Sequence, residues 1–129
     1  MCIIFLCFLA QISFPGDNVT YWSSGSVVKL PWTYNFPKPQ IFGVEISFTK
    51  SGLSTGVTLA EGFSGINPAS KDPSKFTIEG QATLVFKNAN RDHNGTYVLA
   101  VTLRGGGETR RSEVKVVILG EKRLNLIFC

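Results

Sequence analysis

From Asn18 onward the apolar side chains of this chain recur at every second residue in short runs. No window of comparable quality repeats at 3.6 residues. Val28, Leu30 and Trp32 alternate with Lys29 and Pro31, and Val44, Ile46 and Phe48 alternate with Glu45, Ser47 and Thr49. Leu84 and Phe86 flank Val85, Tyr97, Leu99 and Val101 make a further run, and Val114, Val116 and Ile118 close the series. Successive side chains of a strand point to opposite faces, so each run offers one apolar face to a core. Ser24-Gly25, Lys50-Ser51-Gly52, Glu79-Gly80, Asn94-Gly95 and Gly105-Gly106-Gly107 punctuate the runs. Pro37, Pro39, Pro68 and Pro73 fall between them, where a missing N–H does little harm. Short strands so punctuated predict an all-β sandwich or barrel. The 129 residues, 43% hydrophobic and 17% charged, suffice for one domain with a core. They are too few for two domains and too apolar for a disordered chain.

Composition removes much chemistry. The cysteines are Cys2, Cys7 and Cys129, so residues 8–128 hold no disulfide framework and no cysteine-based zinc site. His93 is the only histidine, which excludes a His-rich metal site and any two-histidine catalytic device. Gly105-Gly106-Gly107 lacks the following helix that a phosphate-cradling loop needs and reads as a hairpin tip. Gly52-Leu53-Ser54-Thr55-Gly56 lacks the Gly-Lys-Ser/Thr of a P-loop. Asp92 beside His93 has no nucleophile fixed nearby and reads as a turn. No catalytic residue, cofactor or metal is expected.

The ends carry different information. Residues 1–10 are an unbroken apolar run, too short to span a bilayer but suited to the core of a signal peptide over 1–16. No Lys or Arg precedes the run and no small-x-small cleavage site precedes Asp17, so a buried first strand is the alternative. Two sequons, Asn18-Val19-Thr20 and Asn94-Gly95-Thr96, support the secretory reading and mark Asn18 and Asn94 as glycosylation positions. Asn67 precedes Pro68 and does not qualify. Residues 121–129 form a basic then apolar tail, read as a truncated continuation or an error of the coding end, and left out of the domain at 17–120.

Asn90-Arg91-Asp92-His93-Asn94-Gly95-Thr96-Tyr97-Val98-Leu99 resembles the Asp-x-Gly-x-Tyr-x-Cys signature of immunoglobulin V-type domains. Residues 25–32 are similar to strand B, 46–52 to strand C and its turn, 75–78 to strand D, 82–89 to strand E, and 110–119 to strand G. The resemblance implies an immunoglobulin-like two-sheet β-sandwich of the V type. It makes Trp32, Phe48, Tyr97 and Leu99 the core signature. Tyr97 is then expected to pack inward with its hydroxyl on backbone at the E–F corner. Trp32 and Leu99 stand where the inter-sheet cysteines would be, and Phe48 where the core Trp would be. Loss of a bridge closing about 67 residues forgoes about 4 kcal/mol, which burial of large apolar side chains at about 1.5–3 kcal/mol each can offset. The acidic residue is displaced as well, so the family's buried pair between that acid and the base opening strand D, here Lys75, is not expected to carry over.

V-like domains without the disulfide resemble invertebrate cell-surface recognition proteins, the hydrozoan allorecognition receptors among them. That likeness implies an extracellular, membrane-distal adhesion or receptor domain, with membrane attachment through sequence beyond Cys129. Its partner is a protein, with the same domain on an apposed cell as the homophilic case. The alternative is a complete secreted protein that captures a soluble or polyanionic ligand. The B–C loop, Thr33 to Phe42, and the F–G loop, Arg104 to Thr109, lie at one end of such a fold, with Arg104, Gly105, Gly106, Gly107 and Glu108 as a binding loop. Arg104, Arg110, Arg111, Lys115, Lys122 and Arg123 crowd the last quarter, and alternation turns Arg111, Glu113 and Lys115 outward. A charged edge strand that discourages strand addition is the simpler account of them. Nucleic acid is not an expected partner, because the basic residues are not interleaved with exposed aromatics.

Overall fold

The computed structural model describes residues 11–120; the apolar run at 1–10 and the tail at 121–129 lie outside the described residues. Ten strands follow in order: β1 Ile12–Ser13, β2 Val19–Ser23, β3 Val28–Tyr34, β4 Ile41–Lys50, β5 Val57–Phe63, β6 Ala69–Ser70, β7 Thr77–Glu79, β8 Ala82–Phe86, β9 Gly95–Leu103 and β10 Thr109–Leu119. They form a four-stranded sheet, β1-β3-β8-β7, and a six-stranded sheet, β2-β10-β9-β4-β5-β6. β2 runs parallel to β10, and the other pairs are antiparallel. Two strands, β5 and β6, extend the β10-β9-β4 sheet, which is the addition that separates a V-type from a constant-type sandwich.

Alternation along β3, β4, β9 and β10 supplies the interior. Val28, Leu30, Trp32, Val44, Ile46, Leu99, Val101, Val114 and Val116 are buried between the sheets, joined by Leu84 and Phe86 of β8. Trp32 spans the sandwich. It stands on β3 in the smaller sheet, and its indole N–H donates to the Ser112 hydroxyl on β10 in the larger one at 3.0 Å. Ser112 is the direct cross-strand partner of Leu99. One of the two positions that stand for the missing cysteines, Trp32, is therefore tied by one hydrogen bond to the residue directly opposite the other, Leu99. The indole's only polar atom is satisfied, which a buried tryptophan requires.

Three expectations are corrected. Ile46, fully buried, faces Leu99 across the sheet, so the centre of strand C belongs to Ile46. Phe48 is opposite Tyr97, one pleat further along, and only half-buried. The sandwich also starts earlier than Asp17: Ile12 and Ser13 pair with Tyr34 and Thr33, and the Phe14 ring lies 5.6 Å from that of Trp32. The loop between β3 and β4 is shorter than expected, because Tyr34 still belongs to β3 and Ile41 already to β4.

The turn between β8 and β9 is held by its own side chains. The Asn90 carboxamide accepts from the Asp92 N–H at 2.8 Å, and Nδ1 of His93 accepts from the Asn90 N–H at 3.0 Å, a reciprocal cap on a single 3-10 turn. The Tyr97 hydroxyl donates to the His93 carbonyl at 2.8 Å. Burial pushes that phenol well above its ordinary range. Gly95 lets β9 start against β4, since a Cβ there would run into the Thr49 carbonyl and the Phe48 ring. Lys50 holds Asp92 at 2.9 Å, and its hydrogen bond and charge lower the carboxyl's pKa. Lys75 pairs with Asp72 instead, at 3.9 Å.

From this corner an aromatic ladder crosses the sandwich. Phe48 stacks on Tyr97 at 4.4 Å, Tyr97 on Phe86 at 5.8 Å, and Phe86 on His93 at 4.4 Å. His93 is thus half-buried and its acceptor nitrogen is in use. Burial lowers its pKa, against the opposing pull of Asp92.

Two outcomes follow from these contacts. Trp32→Ala is expected to cost about 3–5 kcal/mol in urea denaturation, and Ser112→Ala a smaller loss of about 1–3 kcal/mol from the unsatisfied indole N–H. The second concerns pH. A depressed native pKa means that the unfolded state, titrating near ~6.5, binds more protons in the interval between the two values. Stability is therefore full above that value and falls as pH drops toward the native one. His93→Gln keeps an acceptor at the cap, so its unfolding free energy should stay level between about pH 7.5 and 5.5 while that of the parent declines.

Candidate recognition face

One side of the six-stranded sheet is the core wall and the other meets water. On the outer side β9 presents Thr96, Val98, Ala100 and Thr102, small and uncharged. β10 presents Arg111, Glu113 and Lys115, all exposed, and β4 and β5 present Glu45 and Glu61. Large apolar side chains also remain in water here: Tyr21 is 65% exposed beside Val117, and Phe42 and Phe63 are 52% and 54% exposed. The Phe42 and Phe63 rings meet edge to face at 6.2 Å.

The strands end in three loops at the Phe42 end: residues 35–40, 64–68 and 104–108. Arg104 ties them together. Its N–H donates to the Gln40 carbonyl at 2.8 Å, its guanidinium donates to the Ser64 hydroxyl at 3.2 Å, and it lies 5.9 Å from the Phe42 ring centre. Gly105, Gly106 and Gly107 form the exposed tip between β9 and β10, with Gly105 and Gly107 at φ of +84° and +68°. Glu108 accepts from Arg110 at 2.9 Å, and Arg110 lies 5.8 Å from the Phe36 ring. Arg104 and Glu108 are thus committed to local contacts, and the glycines contribute backbone only.

A second feature lies on the face below this end. Gly43 and Ala100 leave a gap in the outer layer, giving an open hollow of about 260 Å³ walled by Phe42, Phe63, Glu45 and Glu61. Glu45 accepts from the Thr58 hydroxyl, and Glu61 pairs with Lys71 at 3.4 Å. The sequence reading missed this hollow, because Phe63 and Glu61 stand on a strand it did not find. The outward phase of Glu45 was the available signal.

Asn18 is exposed immediately before β2. Asn94 is half-buried immediately before β9, and its side-chain carbonyl accepts from the Ile118 N–H. Among the described residues no group of three His, Cys, Asp or Glu side chains could hold a metal ion. Asp92 and His93 are both engaged by the corner contacts above.

No family model and no curated protein matches this chain. Solved structures do match. A structure of Tim-4 in complex with phosphatidylserine superposes with a TM-score of 0.60 at 18% sequence identity, covering 79% of this chain and 98% of that one. The chain is thus an all-β, immunoglobulin-like V-type sandwich in fold.

Proposed function

We propose that this chain is an extracellular recognition domain that binds through the outer side of its six-stranded sheet, and that its partner is a further copy of the same domain on an apposed cell. The observation that carries this reading is the face itself. A flat centre of small residues on β9 lies between charges of opposite bias on β10 and on β4–β5, with large apolar side chains left in water at both margins. Such a mixed surface suits a protein contact better than a small-molecule pocket. The two sequons and the apolar N-terminal run favour the secretory route, with Asn18 and Asn94 as glycan carriers. Asn18 precedes β2 beside Lys115 and Asn94 precedes β9 beside Lys50, so both lie at strand ends, away from the level of Glu45, Ala100 and Arg111. Many copies on two membranes add avidity, so a contact in the micromolar range or weaker suffices.

A second reading has one observation behind it. Ile66 at the loop end is 68% exposed, close in the fold to Arg104 and Phe42, and the similar Tim-4 structure holds phosphatidylserine. On that reading the loop end docks on an anionic lipid surface.

Analytical ultracentrifugation at high protein concentration and aggregation of domain-coated beads test the first reading. Reversible dimers with bead clustering are expected. A strict monomer that fails to cluster beads removes self-recognition, and co-flotation of that monomer with phosphatidylserine vesicles would favour the lipid reading.

A further inference from the structure

Outward side chains of the six-stranded sheet form rows that run across the strands, and one row is charged unlike its neighbours. Pairing sets Glu61 beside Glu45, Glu45 beside Ala100, and Ala100 beside Arg111. From β5 to β10 the row therefore reads carboxylate, carboxylate, methyl, guanidinium. Adjacent strands lie about 4.8 Å apart, so Arg111 and Glu45 are separated by about 10 Å of backbone with only a methyl group between them. Among the described residues Arg111 makes no ion pair. The hollow over Gly43 opens along the acidic half of this row.

We propose that two copies pair face to face about a two-fold axis parallel to β9 above Ala100, so that the partner's Arg111 enters the hollow formed by Glu45, Glu61 and Phe63. This rests on the self-recognition reading above and specifies its geometry. Such an axis keeps height along the strands and reverses order across them. The row then lies on its own reverse: Ala100 faces the partner's Ala100, and each Arg111 meets a Glu45, twice in one isologous contact. The neighbouring rows agree. Glu113 shares a row with Val98 and Ser47, and Lys115 shares one with Thr96 and Thr49, so these charges meet hydroxyls and not like charges. The other in-plane axis, perpendicular to the strands, stacks β4–β5 on β4–β5 and β10 on β10, which keeps Arg111 over β10 and leaves the acidic hollow without a basic occupant.

The chemistry of the hollow matches its occupant. A guanidinium is planar, pairs two-pronged with carboxylates, and stacks on aromatic rings. The hollow offers the Phe63 ring, the Glu45 carboxylate, whose one bond is from the neutral Thr58 hydroxyl, and Glu61, which also faces Lys71. Packed sheets lie about 10 Å apart, a gap that an arginine side chain reaches across from one face. Ala100 at the axis lets the two β9 strands approach. A Cβ on Gly43 would press on the Phe63 ring at 3.3 Å, so glycine keeps the hollow open.

Reversing charges tests the geometry. R111E alone, and the pair E45R with E61R alone, each set like charges against each other twice, and each should weaken self-association by at least about tenfold in sedimentation. An equimolar mixture of the two variants restores both contacts and should return dimer to within about threefold of the parent. Arg111 and Glu45 are exposed and Glu61 is half-buried at the surface, and matching melting curves establish that the variants fold. A100W, which fills the axis, should also abolish pairing. If both charge variants dimerise as the parent does, the row geometry is overturned while self-recognition stands. If they weaken and the mixture does not recover, the row geometry is likewise overturned. If the parent itself never associates, both fall together.

Discussion

The structure depends on one side chain that joins its two sheets. Trp32 leaves β3, crosses the interior, and ends on the Ser112 hydroxyl of β10, next to Leu99. A sandwich of two sheets needs something to fix their separation and relative shift. Where an immunoglobulin domain ordinarily uses a disulfide for this, the described residues here hold no cysteine. A disulfide acts mainly on the unfolded chain, whereas a buried indole acts through packing in the folded one. The position also recruits residues that precede the conventional start of the domain, since Phe14 packs on the Trp32 ring and β1 pairs with the end of β3. At the other end of the sandwich, the ladder from Phe48 through Tyr97 and Phe86 to His93 makes a second connection between the sheets.

These two ties hold the six-stranded sheet as a platform. The inward residues of β9 and β10 are fixed by the core, so the outward residues are fixed by default, because a strand's two faces cannot move independently. Arg111 and Glu45 owe their place in one row to the burial of Leu99, Val101, Ile46 and Val44 on the opposite side. The recognition proposed for this face is in that sense a consequence of the core.

Much of this was legible from alternation alone. β3, β4, β9 and β10 each keep an inner phase of large apolar residues, and the Tyr97 corner is local enough to be seen in ten consecutive residues. β5 was not legible. Leu59 and Ala60 are both buried in succession, where a shift of register between Ile46 and Ser47 disturbs the pairing, and the period of two is lost. β2 was hidden because its apolar Val19 and Tyr21 face water while Thr20 and Trp22 turn inward. Phe48 sits less centrally than alternation suggests for a related reason: alternation identifies the inner face but not the height along it, which only the Ile46–Leu99 pairing fixes. The charged row is beyond any linear reading, since Glu45, Glu61, Ala100 and Arg111 are brought level by three separate registers.

Hydrogen exchange of the Trp32 indole N–H measures the central tie most directly. The chain has two tryptophans, and the Trp22 indole, half-buried and bonded to Thr20 at 3.0 Å, serves as an internal reference. If Trp32 joins the sheets, its indole proton exchanges only when the whole domain unfolds, at the rate of the slowest backbone amides of β3 and β9. Exchange as fast as that of the Trp22 indole, with those amides still protected, would contradict the account.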